Sequence, residues 1–317
     1  MKGYFIFSNN ELKRYKMEDK SLSTNRLCNI KKFELDYHKL MDEKVNISTL
    51  LHEIESDEQL SYYSEIIVGL WDFGRDCQDI LDLFVRLKDK LVNLESLFIG
   101  DIKKQITEVS WIHQADYSKL IKSLPNLKRL KIKGSDSLVI SPLQHSNLES
   151  IEIISAGLPK TVIKDIADSD LPALKELILY LGTSYYGFDG SVEDIRYLLQ
   201  SDKFPSLEKL HIVNSTIQEE VLLEIIDSKL LKQLKEISIS YGNLRDSGGK
   251  VILDNIDKLS HLDKIEIDWH YMTQDMEELL LKSQLCINIK NRQSISNKQK
   301  QHNKEICNEK YAPMLVE

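Results

Sequence analysis

Cysteine is scarce. Cys28, Cys77, Cys286 and Cys307 are the only four in 317 residues, and their spacing fits neither a metal knuckle nor a disulfide framework. That excludes a disulfide-stapled secreted scaffold and fits a reducing, cytoplasmic setting. No stretch nears the roughly 18 apolar residues of a membrane helix. The apolar patch Tyr4 to Phe7 is too short for the core of a signal peptide. Positive charge is also in deficit, with 42 Lys and Arg against 50 Asp and Glu and a formal net charge of -8. A chain that coats nucleic acid needs the opposite balance.

Catalytic signatures are missing as well. There is no phosphate loop, dinucleotide-binding glycine pattern, His-Glu-x-x-His or nucleophile elbow. Gly134, Gly182, Gly187 and Gly190 are loop glycines without motif spacing. The eight histidines are dispersed, and His113, His211 and His270 read as polar contacts rather than catalysts. Cys77 opens a predicted helix, a position that can lower a thiol pKa, but no base is identifiable beside it and a structural role is expected. An enzyme would need a convergent set such as His211, Glu152, Lys131 and Ser238. No catalytic residue, metal or cofactor is expected.

What the sequence does have is a repeat. The pattern Leu-x-x-Leu-x-Leu, with Ile, Val or aromatic substitutes, recurs nine times. It begins at positions 30, 63, 94, 127, 148, 174, 207, 234 and 262, at separations of 21 to 33 residues. Clean copies include Leu94/Leu97/Ile99 and Leu174/Leu177/Leu179; Ile30/Phe33/Leu35 and Tyr63/Ile66/Val68 are weaker. The last two apolar positions alternate with polar ones, as in a strand with one buried face. Helix-spaced apolar trios follow several strands: Leu158/Val162/Ile166, Ile217/Val221/Ile225, Leu244/Gly248/Ile252 and Met272/Met276/Leu280. One strand and one helix cannot bury both faces alone, so stacked copies are required. Ser191 with Asp194, and Thr216 with Glu219, have capping-box spacing. Three of the six prolines, in Leu124-Pro125, Leu171-Pro172 and Phe204-Pro205, close helical segments ahead of the next strand.

The strand followed by Leu244-x-Asp246-x-Gly248 and a helix resembles the long, ribonuclease-inhibitor-like leucine-rich repeat. The resemblance covers roughly residues 30 to 289 and extends to an uncharacterised family of bacterial cytoplasmic proteins with this repeat. It implies an α/β leucine-rich-repeat solenoid, a horseshoe with a parallel β-sheet on the concave face and helices on the convex face. Two departures stand out. The usual Asn after the strand is Ser215, Gly242 or His270, so no regular asparagine ladder is expected there. The repeat from Leu127 spans only 21 residues, too few for a full helix, and an extended segment through Leu138, Ile140 and Leu143 is expected instead. The organisation reads as an N-terminal cap and first weak repeat over 1–62, the solenoid over 63–289, and a polar linker with a docking tail over 290–317. Alternation at Leu285, Ile287 and Ile289 predicts a terminal strand, and Tyr311 to Val316 is apolar enough to dock.

Counting from the first apolar residue of each copy, positions +2, +4 and +6 face away from the helices. The +2 row alternates in sign over Glu176, Lys209, Glu236 and Lys264, which predicts structural ion pairs. The +4 and +6 rows hold two apolar patches, Ile67 with Phe98, and Ile154, Ile178, Tyr180 and Val213. Between them lies a basic strand bearing Arg129, Lys131 and Lys133, with Glu152 in register to neutralise Lys131. Enlarged loops near 101–116 and 181–191, together with other strand-following segments, carry Trp71, Trp111, Tyr185, Tyr186 and Trp269 along one rim. Exposed apolar and aromatic surface marks a contact site. The expected function is a non-enzymatic, monomeric scaffold that binds a protein or peptide, but neither nucleic acid nor membrane. Its contacts would be Trp71, Phe98, Trp111, Arg129, Lys131, Lys133, Ile178, Tyr180, Tyr185, Tyr186, His211 and Trp269. The alternative is a substrate-recognition accessory subunit for a separately encoded enzyme.

Overall fold

The nine repeat starts, and the alternation near residue 287, become ten strands of one sheet. A computed structural model describes residues 29–294 together with Tyr311 and Pro313. The apolar patch Tyr4 to Phe7 and most of the linker and tail fall outside the described residues. The strands are β1 (Ile30–Phe33), β2 (Glu65–Val68), β3 (Ser96–Ile99), β4 (Arg129–Lys133), β5 (Ser150–Ile154), β6 (Glu176–Gly182), β7 (Lys209–Ser215), β8 (Glu236–Ser238), β9 (Lys264–His270) and β10 (Ile287–Arg292). Their spatial order is their chain order and all neighbours are parallel. Among the described residues the sheet is open, with β1 and β10 at its edges. Residues 62 and 63 lie between two paired strands, so the first weak copy is continuous with the rest.

Register explains the repeat. Leu97, Leu130, Ile151, Leu177, Leu210, Ile237 and Ile265 are in-register neighbours across seven strands. All seven are buried. Ile99, Ile132, Ile153, Leu179, Ile212, Ile239 and Ile267 form a second fully buried row. Each such side chain contributes about 1.5–3 kcal/mol by leaving water.

The apolar trios become the packing stripes of helices. The helices are α1 (Tyr37–Met41), α2 (Ile47–Ser56), α3 (Gln78–Arg86), α4 (Ser118–Ser123), α5 (Lys160–Asp168), α6 (Val192–Leu199), α7 (Gln218–Asp227), α8 (Asp246–Asp254), α9 (Ile256–Leu259) and α10 (Gln274–Lys282). In α5, Val162 and Ile166 are buried; in α7, Val221 and Ile225 are. Their side chains join the strand interiors in one continuous core. No helix forms between β4 and β5. That repeat runs as extended chain with Leu138, Ile140 and Leu143 buried, and Val139 bridges to Asp116.

One capping expectation holds and one does not. The Asp194 carboxylate accepts from the Ser191 amide at 2.8 Å and from its hydroxyl at 2.9 Å. Thr216 and Glu219 form no such box: α7 starts at Gln218, and the Glu219 carboxylate is taken by Arg245 at 3.0 Å and Ser247 at 2.7 Å in the next repeat. An asparagine ladder does exist, but at the N-terminal ends of the strands. Asn93, Asn126 and Asn147, each just before a repeat start, donate to the carbonyls of Ser61, Val92 and Pro125 in the preceding repeat at 2.7–2.9 Å.

Candidate functional site

The face of the sheet away from the helices is largely occupied by its own ion pairs. Lys209 Nζ lies 2.7 Å from Glu176 and 3.8 Å from Glu236, and Lys264 Nζ lies 3.2 Å from Glu236. Lys264 also reaches Glu266 at 3.1 Å, and His211 Nε2 lies 2.9 Å from Glu236. Burial alone would raise the Glu236 carboxyl. The hydrogen bond to His211 and the two ammonium groups reverse that and bring it to about 2. His211, Glu236 and Glu266 present one ligand atom each within 4.8 Å of one another, a spacing a metal ion could bridge. The Lys264 ammonium already sits against both carboxylates, so the charge a cation would supply is present in the protein.

The basic strand is internally committed. Lys131 Nζ is 2.8 Å from Glu152 and 5.1 Å from the centroid of the Phe98 ring. Lys133 donates to the Ile102 carbonyl at 2.7 Å, and burial lowers its pKa. Lys131 and Lys133, expected as partner contacts, thus each already hold an acceptor within the protein, as the register of Glu152 implied for Lys131; Arg129 is exposed. Phe98 and Ile67 are buried, at 6% and 8% exposure, and so offer no open patch. In the second patch Val213 is buried, whereas Ile154, Ile178 and Tyr180 are half-buried. Tyr180 stacks with Tyr241 across the intervening strand at 6.2 Å.

The aromatics after the strands divide sharply. Trp71 is buried and its indole donates to the Arg75 carbonyl at 3.0 Å, so it fixes its own loop and is no contact residue. Trp269 is half-buried with φ +55, and its enclosed Nε1 meets no acceptor among the described residues. Trp111, at the end of a short 3-10 turn (Val109–Trp111), is 66% exposed, and Tyr185, in another (Ser184–Tyr186), is 64% exposed. Tyr186 is half-buried and meets Tyr185 edge-on at 4.9 Å. Ser110 and Tyr186, the chain neighbours of those two exposed rings, line one rim pocket of about 180 Å³. Of the sequence-predicted residues, the structure thus brings Tyr185 and Tyr186 together, and sets Ser110, the chain neighbour of Trp111, in one lining with Tyr186.

The pocket also brings in residues the sequence reading passed over: Ser135, Asp136 and Gly157. Ser135 Oγ lies 2.5 Å from Ser155 Oγ and donates to the Gly157 carbonyl at 2.9 Å. Gly157 bridges Gly182, whose φ is +77, and a Cβ on either would run into facing backbone. The Asp136 carboxylate binds His113 Nδ1. The only sequence signal was the Gly134-Ser135-Asp136 loop, and nothing in it showed that four separate loops converge there.

Cys77 lies deep in the core, 3.3 Å from Gln114 Oε1, and burial pushes its thiol up to about 12. The Tyr117 hydroxyl donates to the same Gln114 oxygen at 2.6 Å. At the C-terminal edge, Tyr311 meets the Tyr271 ring at 5.2 Å and lies 5.3 Å from the Arg245 guanidinium. Among the described residues no helix is long and apolar enough to cross a membrane.

The chain is 36% identical to a protein of Bacteroides fragilis whose crystal structure was determined as a structural-genomics target. The match has a TM-score of 0.79 and covers 90% of this chain and 83% of that one. The two belong to one family. No protein-family profile matches the chain, and no curated protein does. This chain thus shares its family with a bacterial protein, and its own α/β fold is built on a single parallel sheet.

Proposed function

We infer that the stack is a leucine-rich-repeat solenoid of the ribonuclease-inhibitor-like type, acting in the cytoplasm as a non-enzymatic scaffold that binds a protein or peptide along its aromatic rim. The observation that carries this reading is the exposure of Trp111 and Tyr185, at 66% and 64%, on loops tied to a fully packed sheet. Large aromatic rings left in water cost free energy that contact with a partner recovers, and they bind with little loss of rotamer entropy. A rigid support reduces the ordering cost further. The half-buried Ile178 and Tyr180 extend the contact onto the sheet face. The ion-paired rows beside them favour register and solubility over affinity.

The test is affinity capture from the native lysate with wild type and with Trp111→Ala/Tyr185→Ala, both checked for equal urea midpoints. A partner retained by wild type and lost by the folded variant supports the rim. Equal capture by the two baits refutes it.

A further inference from the structure

We propose that Arg245 and Tyr271 form a recognition site for an extended segment bearing a tyrosine, a site that the chain's own Tyr311 fills in cis. A partner segment of the same chemistry, a tyrosine followed two residues later by a proline, competes with the tail for it. This extends the scaffold reading to a second station on the rim and rests on it only for the existence of a peptide partner. The occupant is seen in place. The Tyr311 ring meets the Tyr271 ring at 5.2 Å with 64° between their planes, and the Arg245 guanidinium lies 5.3 Å from the Tyr311 centroid. Pro313, two residues on, is buried. Tyr311 thus faces an aromatic ring and a cation, the two groups best suited to hold a tyrosine ring at a surface. Arg245 and Tyr271 both sit in strand-following segments, on the rim that carries Trp111 and Tyr185.

The backbone of both members is fixed without the tail. The Tyr271 amide donates to the Leu244 carbonyl at 2.7 Å, which ties the segment after β9 to the residue beside Arg245. Arg245 donates to one Glu219 oxygen from Nε at 3.0 Å and from its amide at 3.2 Å. Thr273 donates to the Asp246 carboxylate at 2.7 and 3.0 Å across the same junction. The repeats of Glu219, Arg245 and Tyr271 are thus joined into one platform, and little ordering cost is left for a ligand. The contact itself is superficial. Tyr311 and Tyr271 are half-buried and the Arg245 side chain is 45% exposed, whereas Tyr117, a tyrosine of the core, has no exposure. A ring held this way leaves without opening the core, so a competing segment can replace it. A proline two residues on narrows the unbound ensemble of such a segment, which lowers the entropy lost on binding.

The experiment uses the full chain carrying Tyr311→Ala, which empties the site, and a fluorescein-labelled, amidated peptide of residues 308–316, with binding read by fluorescence anisotropy. The expected result is saturable binding to Tyr311→Ala. Wild type is expected to bind at least about tenfold more weakly, because its tethered tail competes at an effective concentration on the order of millimolar. Adding Tyr271→Ala to the Tyr311→Ala chain is expected to weaken binding about tenfold, as for loss of a packed aromatic pair. Adding Arg245→Gln instead is expected to cost about threefold, as for an exposed cation–π contact. Urea midpoints check that each chain is folded, and Arg245→Gln decides alone if Tyr271→Ala is not. No binding to Tyr311→Ala, equal binding to wild type, or affinity unchanged by Tyr271→Ala or by Arg245→Gln overturns the proposal. The scaffold reading fails separately. A partner lost by Trp111→Ala/Tyr185→Ala, with no peptide bound by Tyr311→Ala, leaves the scaffold standing without this site. Peptide bound by Tyr311→Ala with no captured partner does the reverse.

Discussion

Glu236 is the hub of the sheet-face network, and Glu236→Gln isolates what that network contributes. In wild type the carboxylate lies 2.9 Å from His211, 3.2 Å from Lys264 and 3.8 Å from Lys209. The amide keeps the shape and an acceptor for His211 but removes the charge. Lys209 retains Glu176 at 2.7 Å and Lys264 retains Glu266 at 3.1 Å, so neither cation is stranded. An ordinary glutamate titrates near 4.3, and this one near 2. A depressed folded-state pKa means stabilisation that is complete above the unfolded value and is lost as the pH falls through the folded one. The gross linkage is about 3 kcal/mol. Solvent reaches the side chain, which is 23% exposed, and screening reduces the expected effect to about 1–2 kcal/mol.

Urea unfolding followed by circular dichroism, at pH 7 and again at pH 3, reads this directly. Glu236→Gln is expected to be less stable than wild type by about 1–2 kcal/mol at pH 7, with about half of that gap gone at pH 3. A variant as stable as wild type at pH 7 would show the network to be energetically idle. A gap of the same size at both pH values would place its origin in packing rather than charge, and the reasoning would fail.

Other outcomes follow from burial. Leu177→Ala removes a side chain with no exposure from the middle of the continuous row and is expected to cost about 2–5 kcal/mol in urea unfolding. Trp111→Ala, on a ring 66% exposed, is expected to stay within about 0.5 kcal/mol of wild type in the same assay. Native iodoacetamide labelling with peptide mapping is expected to modify the exposed Cys286 and to spare Cys77, which reacts only in denaturant because its thiol is enclosed and its pKa is near 12. Labelling of Cys77 at the native rate of Cys286 would contradict the packing of that core.

The strands were legible because register in a parallel stack is set by repeat phase. Once Leu97 and Leu130 occupy equivalent positions, their pairing follows, and so does that of Phe98 with Lys131 and Lys131 with Glu152. The rows were therefore correct even where the exposure inferred from them was not. Phe98 looked like an open patch because a row diagram has no depth, and the Lys131 ammonium over its ring is a third dimension. A second alternating row went unread although it is present in the sequence. At position +1, Glu95, Lys128, Glu149, Lys175, Glu208 and Lys235 alternate in sign, and the structure pairs Lys128 with Glu95, Lys175 with Glu149 and Lys235 with Glu208 at 2.7–2.9 Å. The rim pocket was not legible, because Ser110, Asp136 and Gly157 belong to three loops whose lengths follow no repeat.

That difference between rows and rim also separates the two kinds of surface. A residue in a row meets its counterpart one strand away, so opposite charges evolve into internal pairs and leave little for a partner to satisfy. Glu176, Lys209, Glu236, Lys264 and Glu266 show the result, a chain of cations and anions each within 4 Å of the next. A rim loop has no counterpart at fixed register, so its side chains are free of that constraint. Trp111 and Tyr185 are exposed there, and Asp136 is half-exposed. Specificity in this architecture therefore belongs to loops of irregular length, with the sheet supplying the rigidity that makes their placement count.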